Sequence, residues 1–511
     1  MVITPPPASG RVFRRGLRMV GTQVRMEPRS FAVGLACAAA FAVATVAQSW
    51  ALGRAVDRAV VPSFLDGRPR WGAALAAFLV LVGVGLAKSA AVVGRRTSVT
   101  YARSGVEARL RRRILDHYQA LPMAWHRRHA TGELLAYAEA DVVNAVVALN
   151  PLPFAVGVGL LMVLTSGWLL ATDLLMGLVA VAILPAVVVL SQRLNVRVEH
   201  LLQEAQRRAG AVSAVAAESF DGAAVVKALG AEGREAQRFA VEANALRDAR
   251  ASADRTRATY DAVLDALPSL GMVALVTLGA WRIGQGALTT GQLVAFVNLF
   301  ALLAFPLRLI AFLLEDLPRS LAGWDRVRSV LAEPLPPRPP HVTPLPAGPL
   351  DLMLEGVSLT FDDGAEEPAL HDVTLHVPAG STVALVGSTG SGKSTLLLLL
   401  GRLLAPTVGR VLVGGVDLAL VDDQDLSSAV ATAFQEPFLF GRSVAANIGL
   451  GRTFGVEREE LTNAASLAQA DDFVRRLPKG YDTVLGERGA TLSGGQRQRV
   501  ALARALASTP R

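Results

Sequence analysis

Long apolar runs separated by charged segments dominate residues 30–307 of the chain. A helix needs about 20 mostly apolar residues to cross a bilayer, and six runs approach or exceed that length. We therefore predict six membrane-spanning helices, with the very short turn Ala171–Asp173 between the third and the fourth. Buried helices of a large soluble protein are disfavoured, because long apolar runs are unusual there. The runs are Ser30–Gly53, Trp71–Ala87 with an extension to Val93, Val142–Thr172, Leu174–Gln192, Ala266–Trp281 and Ile283–Leu307.

The distribution of arginine predicts how these spans are oriented. Cytoplasmic loops carry the excess of Lys and Arg in membrane proteins. Residues 1–29 carry six Arg and Arg95–Thr131 carries nine, whereas Arg54–Arg70 carries four and the turn Ala171–Asp173 carries none. We therefore predict a multi-pass protein of the cytoplasmic (inner) membrane with both termini in the cytoplasm. The segments between spans two and three and between spans four and five become long cytoplasmic loops.

Composition agrees with a membrane protein. Hydrophobic residues make up 52% of the chain and charged residues 18%, and the mean hydropathy is +0.39. The net charge of +8 could indicate nucleic-acid binding, but most Lys and Arg lie between apolar runs, which fits membrane topology. The predicted partner is therefore membrane lipid and not nucleic acid. Cys37 is the single cysteine, so an intrachain disulfide is excluded.

A proline-rich segment divides the chain. Pro334–Pro349 holds eight prolines in sixteen residues, and proline fixes φ and removes a backbone donor, so the segment is an extended spacer. We predict a cytoplasmic N-terminal segment at 1–29, a helical membrane domain with two long cytoplasmic loops at 30–330, a linker at 331–349 and a second domain at 350–511.

Short strands and a glycine-rich loop follow the linker. The pattern predicts strands at Leu352–Phe361, Val373–Val377 and Thr382–Val386, and the buried strand Ser381–Val386 leads into the loop and the helix Ser394–Leu404. This order of strand, loop and helix typifies a phosphate-binding loop, whose N–H groups and helix N-terminus surround phosphates. Lys393 is predicted to reach the β- and γ-phosphates and Ser394 to bind Mg²⁺. The predicted loop residues are Gly387, Ser388, Thr389, Gly390, Ser391, Gly392, Lys393 and Ser394, with Thr395 next in the helix.

The run Leu492–Arg499, which reads Leu-Ser-Gly-Gly-Gln-Arg-Gln-Arg, resembles the signature motif of ATP-binding cassette (ABC) proteins. Together with the phosphate loop and the apolar runs, it makes the chain resemble a half-transporter of the type I ABC exporters. The resemblance implies a fold of six membrane helices joined to an α/β P-loop NTPase domain. It implies ATP-driven export of an unidentified substrate by alternating access, with ATP and Mg²⁺ as cofactors and a second half-transporter as partner.

The resemblance also assigns roles to residues outside the loop. Phe361 matches the aromatic residue that stacks on adenine, and Gln435 matches the glutamine that contacts Mg²⁺ and the attacking water. Glu487 matches a loop found in exporters. In the family, the signature residues meet the γ-phosphate of ATP on the opposite nucleotide domain, so two chains are needed for two complete sites. These residues are Ser493, Gly494, Gly495 and Gln496.

Two cytoplasmic segments resemble the loops that couple the domains in this family. Short coupling helices are expected near Ala124–His129 and Ala217–Gly222. Tyr137 stands where the family usually has arginine, so a contact of that arginine is not expected here.

The catalytic set implied by the resemblance is incomplete. The magnesium aspartate, the general base and the switch histidine of the family have no match in this sequence, and the family places them after the position of Arg511. One hypothesis is an exporter subunit seen as an incomplete chain. The alternative is a short form that binds ATP without hydrolysing it, as a regulatory half of a heterodimer. A cassette ATPase of DNA repair or translation is disfavoured by the six spans.

Overall fold

The computed structural model describes residues 9–336, 341–361, 367–451 and 457–511. At 9–13, 183–197, 264–265, 303–315, 451 and 487 the backbone alone is described. The chain forms two compact units. One contains the described residues up to Leu115 together with Leu135–Leu331, and the other contains Asp116–Leu134 together with the described residues after Leu331.

All the regular elements described in the first unit are helices. Most of the apolar sequence lies in its long helices, and the helices Trp71–Ala120 and Glu232–Gly284 extend well beyond the predicted spans into polar sequence. Two π-helical turns, Val56–Val60 and Tyr137–Asp141, and a 3₁₀ turn, Val147–Leu149, interrupt the series. The α-helices are α1 (Ser9–Met26), α2 (Pro28–Ala55), α3 (Val61–Leu65), α4 (Trp71–Ala120), α5 (Met123–Arg128), α6 (Thr131–Ala136), α7 (Val142–Val146), α8 (Leu152–Thr172), α9 (Leu174–Asp221), α10 (Ala223–Ala228), α11 (Glu232–Gly284) and α12 (Thr290–Leu331); α5 and part of α4 and α6 lie in the second unit.

Four helical stretches within the described residues are long and apolar enough to cross a membrane: Pro28–Leu65, Trp71–Ala120, Thr131–Thr172 and Glu232–Gly284. They contain the predicted spans one, two, three and five. The fourth and sixth predicted spans fall on α9 and α12, and part of the side chains there lies outside the described residues. The predicted turn between spans three and four is confirmed, since Asp173 alone separates α8 from α9.

Two predicted boundaries in the first unit are wrong. The sixth span was placed from Ile283, but α12 begins at Thr290, because Gly286 turns the chain with a φ of +74°. The second coupling helix was placed near Ala217–Gly222. That stretch is the end of α9, and the separate short helix α10 follows it.

Small residues bring α2, α8 and α12 close together. A Cβ on Gly157 would lie 3.0 Å from the Cβ of Ala38, and a Cβ on Gly53 would lie 2.5 Å from the carbonyl oxygen of Gly291. Close backbone approach of this kind holds membrane helices together where lipid offers no hydrophobic drive between them.

The second unit contains one described sheet of four antiparallel strands. The order is β2-β1-β3-β4, so β1 is paired on both sides. One core cluster of this unit forms between the sheet and α13, where Leu354 and Leu399 are buried. The strands are β1 (Leu352–Leu359), β2 (Leu370–Val377), β3 (Val408–Val413) and β4 (Val416–Asp417).

A second core cluster lies among the helices near the end of the described chain, where Val444, Leu461, Phe473 and Val500 are buried. Its largest helix carries the predicted signature residues at its start. The helices of this unit after the linker are α13 (Lys393–Leu400), α14 (Asp423–Ala429), α15 (Val444–Ile448), α16 (Arg458–Leu467), α17 (Asp471–Arg475) and α18 (Gly494–Ala507).

The prediction of a buried strand at Ser381–Val386 is wrong. The segment has no strand assignment and its residues are exposed, with Val386 90% accessible. A strand needs a neighbouring strand to pair its N–H and C=O groups, and the described sheet contains no partner for this segment. The following helix is also shorter than predicted, since α13 ends at Leu400.

Candidate functional site

The predicted phosphate loop, Gly387–Ser394, connects the unpaired segment to α13. Gly390 and Gly392 have φ angles of +85° and +87°, which residues with a Cβ rarely adopt. A Cβ on Gly392 would also lie 2.7 Å from the side chain of Leu370 and 2.9 Å from the carbonyl oxygen of Ala369. Both the backbone and the available space therefore require glycine where the loop turns into α13.

The ammonium group of Lys393 lies against the loop. Its Nζ donates to the carbonyl oxygens of Gly387 at 2.9 Å and Ser388 at 2.6 Å, and to the hydroxyl of Ser391 at 3.1 Å. These partners are neutral, and α13 starts at Lys393 without a side-chain cap. An anion here would meet a cation, loop N–H groups and the positive end of a helix together.

The donor chemistry of the loop fits a triphosphate. A Cβ on Gly387 would lie 2.8 Å from the hydroxyl of Ser391, so a side chain there would fill the curve of the loop. Ser394 is exposed directly after Lys393, and Thr395 is half-buried. A hydroxyl oxygen at Ser394 suits Mg²⁺, which prefers oxygen ligands. The assignment of these two residues stays a prediction.

Phe361, the predicted adenine-stacking residue, follows β1 and packs against the core cluster of the sheet and α13. The guanidinium of Arg127 lies over its ring, with Cζ 4.4 Å from the ring centroid. Arg127 belongs to α5, the short helix that matches the first expected coupling helix. The structure therefore brings together two residues that the sequence placed in separate segments.

Gln435 is exposed in a segment without regular structure. Its carbonyl oxygen accepts a long hydrogen bond of 3.5 Å from Nε2 of Gln498 on α18. Farther along, the buried side chain of Asn447 bonds both the N–H and the carbonyl oxygen of Phe440, at 2.9 and 3.0 Å. Asn447 therefore fixes the C-terminal end of the segment that carries Gln435.

Ser493 is the N-cap of α18. Its hydroxyl accepts from the N–H of Gln496 at 3.3 Å, and the side-chain oxygen of Gln496 accepts from the N–H of Ser493 at 2.9 Å. This reciprocal pair is a capping box. Gly494 and Gly495 are exposed with open space beside them. The start of α18 is therefore fixed in shape and accessible to another molecule.

The described contacts link only part of the predicted site. The hydrogen bonds of Lys393 stay within its own loop, and those of Ser493 stay within its capping box. Gln435 is joined to the signature helix through its backbone. The side chain of Glu487 lies outside the described residues.

Sequence reasoning missed Arg127 and Arg504. Nη1 of Arg504 donates to the carbonyl oxygen of Phe438 at 3.0 Å, and its Nε donates to that of Asn447 at 2.8 Å. Burial lowers the pKa of Arg504. No pattern along the chain distinguishes this arginine from the others of α18. The one signal in the sequence is Asn447, an asparagine near a turn, which could have suggested that a buried amide closes the loop before it.

Comparison with known protein families gives matches over both units. The family model described as ABC transporter transmembrane region matches residues 31–307, and the family model described as ABC transporter matches residues 370–511.

Individual relatives carry exporter names. The chain is 32% identical over 429 residues to the ATP-dependent lipid A-core flippase of Chromobacterium violaceum, covering 84% of this chain and 73% of that protein. It is 32% identical over 499 residues to a multidrug efflux ATP-binding/permease protein of Mycobacterium bovis, covering 96% of this chain and 40% of that protein. A solved structure of a bacterial Atm1-family ABC exporter with ATP bound is 26% identical, with a TM-score of 0.72, and the match covers 94% of this chain and 85% of that one. The predicted fold class, a helical membrane region with a nucleotide-binding region, is confirmed.

Proposed function

The chain belongs to the ABC transporter family, and on that premise we propose that its phosphate loop binds ATP in one half of a dimeric exporter. The chain is an ATP-dependent exporter subunit, and its relatives carry the names ATP-dependent lipid A-core flippase and multidrug efflux ATP-binding/permease protein. The observation that carries the proposal is the position of Lys393, whose ammonium group is held by neutral loop oxygens. A triphosphate would replace them as a far stronger partner for this cation.

Each predicted residue has a distinct task in this proposal. Lys393 and the N–H groups of the loop hold the phosphates, while Ser394 and Gln435 hold Mg²⁺. Phe361 positions the base by stacking. When bound, ATP supplies the phosphoryl transfer to water that drives the transport cycle, a reaction governed by positioning and charge stabilisation. Ser493 at the start of α18 meets the γ-phosphate held by the second half-transporter.

A second half-transporter completes the site, because each chain carries one phosphate loop and one signature. We place the membrane domain at 30–330, the linker at 331–349 and the nucleotide domain at 350–511. Both termini lie in the cytoplasm, as the arginine distribution indicates.

The substrate we propose is an amphiphile with an anionic group. A cavity of about 410 Å³ in the membrane unit is lined by Trp50 and Trp168, by Arg54 and Arg58, and by Asp57. The carboxylate of Asp57 already accepts from the hydroxyl of Thr289 and the N–H of Gly291, so the two guanidinium groups outnumber the one carboxylate. The guanidinium of Arg54 stacks on Trp50 with Cζ 4.7 Å from the ring centroid. Aromatic rings and guanidinium groups together suit an apolar body with a negative headgroup. Two relatives that carry the names lipid A-core flippase and multidrug efflux protein point the same way.

ATP binding by the full chain in lipid nanodiscs tests the nucleotide proposal. The wild-type chain should bind ATP in the presence of Mg²⁺, and Lys393→Ala should weaken binding by at least about tenfold, since it removes a charge-assisted contact of about 1.5–3 kcal/mol. Lys479→Ala removes another lysine of the same unit and should bind like the wild type. Equal binding by Lys393→Ala would contradict the proposal. Hydrolysis measured in the same preparation separates the exporter subunit from the alternative of an ATP-binding half without turnover.

Transport into inside-out vesicles tests the substrate class. Arg58→Ala should reduce uptake of an anionic amphiphile more than that of its neutral analogue. Arg68→Ala alters an exposed arginine that does not line the cavity and should leave both unchanged. An equal loss for both compounds would refute an anionic preference at this cavity.

A further inference from the structure

Arg127 occupies a ring face that the proposed nucleotide site needs. Its Cζ lies 4.4 Å from the centroid of the Phe361 ring, well within the roughly 6 Å range of a cation–π contact. Phe361 also packs against the core cluster of the sheet and α13 and is half-buried. The guanidinium thus lies on a part of the ring that the core does not cover.

A guanidinium group and an adenine base compete for the same kind of surface. Both are planar, and both stack on an aromatic face at van der Waals distance. Because Phe361 is half-buried and packs against the core cluster, we infer that the exposed part of its ring has room for only one of them at a time.

The helix that carries Arg127 is anchored by an aromatic cluster. Trp125 is 8% exposed and stacks on His129 with ring centroids 4.1 Å apart and an interplanar angle of 25°. The ring centroids of Tyr118 and Trp125 lie 5.6 Å apart, and Nε2 of His126 is 2.9 Å from the carbonyl oxygen of Tyr118. Arg127 is itself exposed. The helix is therefore held firmly in place, while the arginine side chain can leave the ring without disturbing the fold.

We propose that Arg127 is a residue of the nucleotide site, and that its guanidinium holds the stacking face of Phe361 until adenine displaces it. This inference rests on the proposed function, because it takes Phe361 as the platform for the base. Displacement of Arg127 changes the contacts of α5, which follows α4 after two residues.

Two ligands separate this competition from a plain charge effect. ATP carries the base, whereas inorganic triphosphate carries the same phosphate chain without it. Removal of a positive charge alters binding of both ligands, but removal of a competitor for Phe361 alters binding of ATP alone. The informative quantity is therefore the Kd for ATP divided by the Kd for inorganic triphosphate, measured with Mg²⁺ on the full chain in nanodiscs.

Arg127→Ala should lower this ratio by about two- to fivefold, the factor that corresponds to losing one exposed cation–π competitor. Arg128→Ala, on the neighbouring exposed arginine of α5, should leave the ratio unchanged. Phe361→Leu should remove the effect, so that Arg127→Ala combined with Phe361→Leu gives the ratio of Phe361→Leu alone.

The opposite results would overturn the inference. A ratio that rises in Arg127→Ala would mean that the guanidinium supports the base, and an unchanged ratio would mean that the two never compete. An equal shift of the ratio in Arg128→Ala would show that the effect does not depend on the arginine that contacts Phe361. If the wild-type chain binds neither ligand, the proposed function itself fails, which is a different outcome from binding with an unchanged ratio.

Discussion

Arg504 and Asn447 form a two-point contact that joins α18 to the segment after Gln435. Nη2 of Arg504 donates to the side-chain oxygen of Asn447 at 3.0 Å, and Nε donates to its carbonyl oxygen at 2.8 Å. Asn447 is 1% exposed, and its amide group also donates to the carbonyl oxygens of Phe440 and Ser443. The helix that begins with the signature residues therefore shares a buried polar network with the loop that carries the predicted magnesium glutamine.

Asn447→Ala should destabilise the nucleotide-binding unit by about 2–4 kcal/mol, because it leaves several buried donors and acceptors without partners. Thermal unfolding of the full chain in detergent measures the effect. Asn463→Ala, at an exposed position of α16, is the matched control and should change stability by less than about 0.5 kcal/mol. An equal, small effect of both changes would show that the network is dispensable.

The parts of this fold that were predictable from sequence are those determined locally. Four of the six predicted spans lie in helices that meet the length and hydropathy of a membrane helix, because an apolar run of that length has few other stable environments. The break at Asp173 was also predictable from sequence, because aspartate is a favoured residue at the start of a helix. In the structure its side chain caps α9 by accepting from the N–H of Met176. The phosphate loop was recognisable because its glycines and lysine stand at fixed spacing.

The parts that depend on distant neighbours were not predictable. The segment Ser381–Val386 has the composition of a buried strand, yet a strand exists only when another strand pairs with it. The contacts of Arg127 with Phe361 and of Arg504 with Asn447 join positions far apart in the chain. Periodicity and propensity carry no information about such pairs, so the roles assigned within the candidate site stay predictions until they are measured.

Gly291→Ala should destabilise the membrane unit. A Cβ at this position would clash with the carbonyl oxygen of Gly53 and lie 2.5 Å from Cγ of Asp57. Backbone cannot yield as a flexible side chain does, so we expect a loss of about 2–3 kcal/mol or more. The measurement is the thermal unfolding midpoint and the yield of monodisperse protein in detergent.

Gly83→Ala provides the control for this change. Gly83 lies in α4 with open space around its missing side chain, so the added methyl group should be tolerated. If Gly291→Ala is as stable as Gly83→Ala, the close approach of α2 and α12 does not contribute to stability.

Arg282→Met should destabilise the membrane unit by about 3–5 kcal/mol, because it leaves a buried carboxylate without its cation. The side chain of Asp173 is 2% exposed, and its Oδ2 accepts from Nη2 of Arg282 at 2.6 Å and from Nε at 3.0 Å. Adding Asp173→Asn to Arg282→Met should recover part of the loss, since the neutral amide still caps α9 without a charge. Arg68→Met, at an exposed arginine, should be neutral, and a cost as large as that of Arg282→Met would contradict the ion-pair explanation.

Two substitutions at Ser493 separate its structural task from its proposed functional one. Ser493→Ala loses the cap of α18 and should cost about 1 kcal/mol in unfolding free energy. Ser493→Asp keeps a good N-cap and should preserve stability, but it places a negative charge where the γ-phosphate of the partner's ATP is proposed to lie. We expect ATP to bring the two nucleotide domains together in the wild type and in Ser493→Ala. In Ser493→Asp we expect the domains to stay apart when ATP is added. Spin labels at Ser466→Cys, in a Cys37→Ser background, report this closure as a shorter distance between the two chains. Normal closure in Ser493→Asp would refute the assignment of Ser493 to the phosphate of the opposite site. Loss of closure, in a variant that is as stable as the wild type, is the result expected from charge repulsion across that site.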